Sequence, residues 1–139
     1  MSHWADKYVG GKHFFNAEGY DGNKMCLLLV LHVLNNEKGF DLPEKYKQEI
    51  KESKSTWFDN APRYFMDEAL KVGTPILNAS KLREFDVPFF EIEGKIKHCG
   101  VMIDKYGKFL HQLKDMPTRV ERISSRHWAK RFYCGIRCV

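Results

Sequence analysis

The longest apolar stretch of the chain, Met25 to Leu31, lies in a segment from residue 24 to about 36 that reads Lys-Met-Cys-Leu-Leu-Leu-Val-Leu-His-Val-Leu-Asn-Asn, with apolar side chains on every side of a helical wheel. A helix without a polar stripe is buried all round, and the scarcity of β-branched residues favours helix over strand. Asp21-Gly22-Asn23 is a turn cluster in which Asn23 is a suitable N-cap, and Gly39 and Pro43 stop the helix. Cys26 is then expected in the first turn of a central buried helix. Residues 1–23 read as an irregular, glycine-rich lead-in, and the polar residues 44–56 as a surface helix or loop. A second helix is predicted over 62–72, with Pro62 in its first turn, Phe65/Ala69 and Met66/Leu70 paired four apart, and Gly73 beyond its end.

From Asp86 the pattern changes to strands: 87–93, then Gly94, then 96–104, a Lys105-Tyr106-Gly107 turn, then 108–113, with a further strand near 132–138. Helices followed by a run of antiparallel strands make an α+β layout. Neither a repeat nor a Pro/Ser-rich linker interrupts the 139 residues, so one domain over 1–139 is expected.

Composition narrows the classes. No run reaches the roughly 18 apolar residues needed to span a bilayer, and the first residues, Met1-Ser2-His3-Trp4-Ala5-Asp6-Lys7, lack the basic-then-apolar order of a secretory signal. The formal charge of +5 is concentrated in the last segment, where seven Lys or Arg stand against two acids from Lys114 onward. Such a tail suits an anionic polymer, a carboxylate-bearing substrate or nucleic acid. Trp128, Phe132 and Tyr133 interleave with the basic residues, but no nucleic-acid motif accompanies them, and nucleic acid is not the expected partner. The four cysteines, Cys26, Cys99, Cys134 and Cys138, are expected to be mostly reduced in a chain able to build its own core. Cys134 and Cys138 resemble half a zinc site with only His127 nearby, so no metal and no cofactor is expected.

The candidate chemistry lies in Cys26 and two histidines. The first turn of a helix stabilises a thiolate, the reactive form of cysteine. If Lys105-Tyr106 is a two-residue loop, Ile103 faces Lys108, Gly100 faces His111 and His98 faces Leu113; His98 and His111 then share one face as diagonal neighbours. Gly100 opposite His111 is expected to leave open space there, and Cys99, alternating with His98, to face away. One imidazole can take the thiol proton while the second fixes the orientation of the first. His32 points elsewhere on its helix, and His3, His13 and His127 have no arguable partner.

Asp86-Val87-Pro88-Phe89-Phe90, then His98-Cys99-Gly100-Val101-Met102-Ile103, then Tyr106-Gly107-Lys108-Phe109-Leu110-His111 resemble the second half of the NlpC-type papain-like cysteine peptidases (the NlpC and p-sixty group). Trp4, Tyr8-Val9-Gly10, Asp21, Cys26, Leu28-Leu29-Val30, Gly39 and Leu42-Pro43, with Leu113, Ser124, Trp128 and Arg137 downstream, resemble the phage-tail-associated branch. The resemblance implies a papain-like fold, a buried N-terminal nucleophile helix packed on an antiparallel β-sheet. It implies Cys26 as nucleophile, with its backbone N–H in an oxyanion hole, His98 as base and His111 as the orienting third member. The implied reaction is hydrolysis of a peptidoglycan stem-peptide amide, commonly between D-glutamate and a diamino acid. The implied setting is a phage tail or the host cytoplasm during assembly, with other tail proteins as partners and the bacterial cell envelope as the place of action. Met25 and Leu27 stand where the family carries Asp and a small residue. That departure motivates the alternative, a catalytically inert structural or assembly protein of a phage tail with the same fold.

Overall fold

The apolar stretch forms helix α1, Gly22–Lys38, in a computed structural model that describes residues 3–10, 22–41, 61–71, 73–113 and 116–139. The predicted loop or helix at 44–56, the Pro43 stop and His13 lie outside these residues. Cys26, Leu27, Leu29, Val30, Val33 and Leu34 are fully buried, whereas Leu28 and Leu31 are half-buried and the last turn is exposed, so burial is not all round. The helix begins two residues earlier than expected, which puts Asn23 inside it rather than at the cap and makes Cys26 its fifth residue, just past the first turn where it was expected. Gly39, at φ 66°, turns the chain out of the helix in the left-handed conformation that glycine adopts without a Cβ clash. Helix α2, Ala61–Leu70, buries Phe65, Met66 and Ala69 on one face, and the Gly73 N–H closes its end on the Ala69 carbonyl at 2.7 Å.

Seven strands follow among the described residues: β1 (Thr74–Ile76), β2 (Val87–Ile92), β3 (Lys95–Cys99), β4 (Val101–Met102), β5 (Lys108–His111), β6 (Arg119–Arg122) and β7 (Phe132–Arg137), with a short helix α3 (Arg126–Ala129) before β7. They form two antiparallel sheets, in the orders β1-β7-β2-β3 and β4-β5-β6. The mixed α+β architecture expected from the sequence is present; β1, β6 and α3 were not foreseen. Val101 pairs with Leu110 and Met102 with Phe109, which is the register expected from the Lys105-Tyr106 turn. Asp104 secures that turn by accepting the Tyr106 and Lys108 N–H groups at 2.8 and 3.2 Å, and Gly107 takes φ 95°.

The expected continuous strand over 96–104 breaks at Gly100, where the chain leaves one sheet for the other. The space opposite Gly100 is not open, contrary to expectation. A Cβ there would meet the Leu110 carbonyl oxygen at 2.7 Å, the Phe109 ring at 3.0 Å and His111 Cβ at 3.3 Å. The crossing therefore needs glycine for close approach. Gly100→Ala is expected to lower unfolding stability by about 1–3 kcal/mol, because backbone rather than a flexible side-chain tip must yield; the urea midpoint reads the change.

Two apolar clusters result. One lies between the helices and the larger sheet and contains Cys26, Phe65, Val87, Phe89, Ile96 and Cys99; the other gathers Leu82, Phe90, Met102, Phe109, Ile123 and Trp128. The β2–β3 register slips after Phe90, leaving Lys97 outside the pairing. Cross-strand partners share a face. Ile96 and Cys99 therefore face the helices, while His98, opposite Phe90, faces the aromatic cluster. Among the described residues no helix is long and apolar enough to cross a membrane.

Candidate functional site

Three elements bring the candidate residues together. Cys26 comes from the head of α1, His98 from β3, an edge strand, and His111 from the end of β5. His98 Nε2 and His111 Nδ1 are 2.8 Å apart, and both rings are buried. The diagonal relation expected for these histidines arises differently from the expected ladder: pairing stops at Val101, and His98 belongs to the neighbouring sheet. Trp128 holds both rings, stacked on His98 at 5.1 Å between centroids and edge-on to His111 at 5.1 Å. Trp128 and Phe132 belong to this aromatic cluster, and Trp128 is buried, so Trp128 is not available for stacking on nucleic-acid bases.

Cys99 does not turn away from the site. Its alternation with His98 holds, but Cys26 descends onto the helix-facing side of β3, and the two sulfurs are 3.9 Å apart. The electrostatics of the pair are unequal. Complete burial pushes the Cys26 thiol up, but the Cys99 S–H, the charge and hydrogen bond of His98, and a Cys99 backbone hydrogen bond outweigh it. Together they bring Cys26 from the usual 9.0 to about 5. Burial, then the hydrogen bond and charge of Cys26, drive Cys99 well above its ordinary value, so Cys99 remains the thiol that donates. Burial first, followed by the charges of His98, Arg119 and His127, pushes His111 down to about 2 and keeps its ring neutral.

These directions set a pH profile. Above about 5 Cys26 is a thiolate, and below it the proton returns and reaction with an electrophile slows. Iodoacetamide alkylation of the native chain is expected to show that inflection. Cys99→Ala, which removes the strongest of the partners lowering the Cys26 thiol, is expected to move the inflection upward.

Of the other described histidines, His32 and His3 lie away from this cluster. His32 is 3.2 Å from Asn36 on the helix surface, and His3 caps the first 3₁₀ turn and lies 3.7 Å from Glu84. His127 packs edge-on against Trp128. Cys134 is buried with its S–H toward Met66 Sδ at 3.7 Å, and all four cysteines are free thiols. No three His, Cys, Asp or Glu among the described residues assemble into a metal site. Of the basic tail, Arg137 is engaged with Asp86, Arg119 lies 3.5 Å from Glu121, and Arg131 donates to the His127 carbonyl.

Glu121 was not singled out in the sequence. Its Oε2 lies 2.5 Å from His111 Nε2 and accepts the Trp128 indole N–H at 3.1 Å. The signal for it is positional: β6 pairs Arg119 with His111 and Glu121 with Phe109, so Glu121 is the diagonal neighbour of His111.

Among solved structures, the NlpC/p60 domain of the peptidoglycan hydrolase SagA is similar over 96% of this chain and 92% of its own, with a TM-score of 0.54 and 16% identity. A lipoprotein-like NLP/P60-family protein of Staphylococcus aureus is similar over 97% of this chain, at a TM-score of 0.53 and 15% identity, and the chain spans 39% of its length. None of the curated proteins matches. The family model described as NlpC/P60 matches residues 10–137, and the chain belongs to that family of cysteine peptidases and hydrolases.

Proposed function

We propose that the chain is a single-domain cysteine endopeptidase acting on the stem peptides of peptidoglycan, with Cys26 as nucleophile, His98 as base and acid, and His111 as the residue that orients His98. The observation that carries this reading is the chain of contacts Cys26–His98–His111, together with a Cys26 thiol lowered to about 5. The thiolate attacks the amide carbonyl, and imidazolium His98 gives its proton to the departing amine. A water then loses a proton to His98 as it attacks the thioester, and the carboxylic product leaves with Cys26 restored. SagA, described as a peptidoglycan hydrolase, supports the substrate class. The phage-tail setting belongs to the same proposal and is supported by the resemblance of the Trp4, Tyr8-Val9-Gly10 and Leu28-Leu29-Val30 segments to that branch.

The test is incubation with purified peptidoglycan, where new amino termini and soluble peptides are expected. A second reading, an inert tail component with the same fold, is favoured by one observation: Cys26 is fully enclosed. Alkylation separates the two. A Cys26 that reacts at pH 6 no faster than a free thiol supports the inert component, and a fast reaction supports the peptidase.

A further inference from the structure

His111 meets His98 through one ring nitrogen, and its other nitrogen points at a carboxylate that the reaction outlined above does not use. We propose that Glu121 is a positioning residue of this site: its carboxylate fixes the tautomer of His111, and through it aims the free nitrogen of His98 at Cys26. The consequence for hydrolysis rests on the peptidase reading; the consequence for the thiol does not.

Hydrogen-bond direction carries the argument. An indole N–H can only donate, and Trp128 Nε1 donates to Glu121 Oε2 at 3.1 Å, so that oxygen offers lone pairs. His111 Nε2, 2.5 Å from the same oxygen, must therefore bear the proton. The ring is wholly buried and held neutral, so it carries one proton and its Nδ1 is bare. That Nδ1 accepts from His98 Nε2 at 2.8 Å, which leaves His98 Nδ1 as the nitrogen available to the Cys26 sulfur. Without Glu121, His111 is free to place its proton on Nδ1. His98 Nε2 must then be bare, and the His98 proton sits on Nδ1, against the thiol it should deprotonate. A carboxylate also favours the imidazolium that forms when Cys26 loses its proton. Trp128 and Phe109 pack against the rings and restrict their rotation, so the proton arrangement rather than ring movement is what Glu121 selects. The charged or titratable groups facing this chain of contacts are Cys26 from α1, Cys99 beside His98 on β3, Arg119 beside Glu121 on β6, and His127 on α3.

The test uses the full chain with Glu121→Gln, which keeps the size and an acceptor oxygen but loses the charge. The inflection of Cys26 alkylation by iodoacetamide is expected to move up by about one pH unit. With stem peptides as substrate, kcat is expected to fall about tenfold while KM stays within about twofold. A residue that merely tethers α3 through Trp128 would change the melting temperature and leave the inflection in place. Long-range proton–nitrogen NMR of the wild-type chain supplies the second measurement, independent of whether the variant folds: His111 is expected to be protonated on Nε2 and bare on Nδ1. An unmoved inflection in Glu121→Gln, or a His111 proton on Nδ1, overturns the proposal. A wild-type chain that cuts no stem peptide while the inflection shifts as expected overturns the peptidase reading and leaves the role of Glu121 standing.

Discussion

Cys26→Ala is expected to abolish release of peptides from peptidoglycan, with kcat lower by on the order of 10⁴-fold or more, because the atom that forms the covalent bond to the substrate carbonyl is removed. A neighbouring sulfur is close enough to raise the question of rescue. Cys99 lies 3.9 Å away, but burial holds its thiol far above the ordinary range, so it supplies no thiolate at working pH. The fold should survive. Cys26 fills part of the apolar cluster between the helices and the larger sheet, and losing one buried sulfur costs about 1 kcal/mol. Circular dichroism and a melting temperature within a few degrees of wild type would establish that. An alanine variant that releases peptides as fast as the native chain removes Cys26 from the chemistry.

Asp86→Ala is expected to cost about 3–5 kcal/mol of stability. Asp86 is only 1% exposed, and its carboxylate accepts Arg137 Nε at 2.9 Å, Arg137 Nη2 at 2.8 Å and the Arg83 backbone N–H at 2.8 Å. This forked pair ties β7 to the start of β2. The same residue joins the sheets, since its carbonyl accepts the Met102 N–H at 2.8 Å and the Phe85 N–H reaches the Met102 carbonyl at 2.8 Å. Removal of the carboxylate leaves a guanidinium that is three-quarters buried and an orphaned backbone donor. For a chain of this size the melting temperature should fall by roughly 10 °C. Asp86→Asn keeps acceptor capacity on one oxygen and should lose less. A melting temperature unchanged in Asp86→Ala would show that the pair contributes only as an exposed ion pair does.

How much of this was legible along the chain depends on how local the cause is. The β4–β5 register follows from a turn whose geometry is set by Asp104, Gly107 and the alternation of their neighbours, all within a dozen residues. The helix α1 follows from the apolar run itself. By contrast, β1 contains Pro75, and β6 reads Arg-Val-Glu-Arg with no apolar alternation. Each is a strand because a partner waits for it, β7 in one case and β5 in the other. The break at Gly100 belongs with these: it answers to Leu110 and Phe109, which are close only after the chain has folded.

For the site, sequence alone determined the residue types and their order, a cysteine near the head of an apolar helix and two histidines in the stretches flanking the Lys105-Tyr106 turn, because helix periodicity and strand alternation act over neighbouring positions. Tertiary structure decided which groups meet there. It set Cys99 against Cys26, Trp128 over His98 and Glu121 behind His111. Those distances depend on how one sheet crosses to the next and where α1 lands on an edge strand, and packing across the whole chain fixes both.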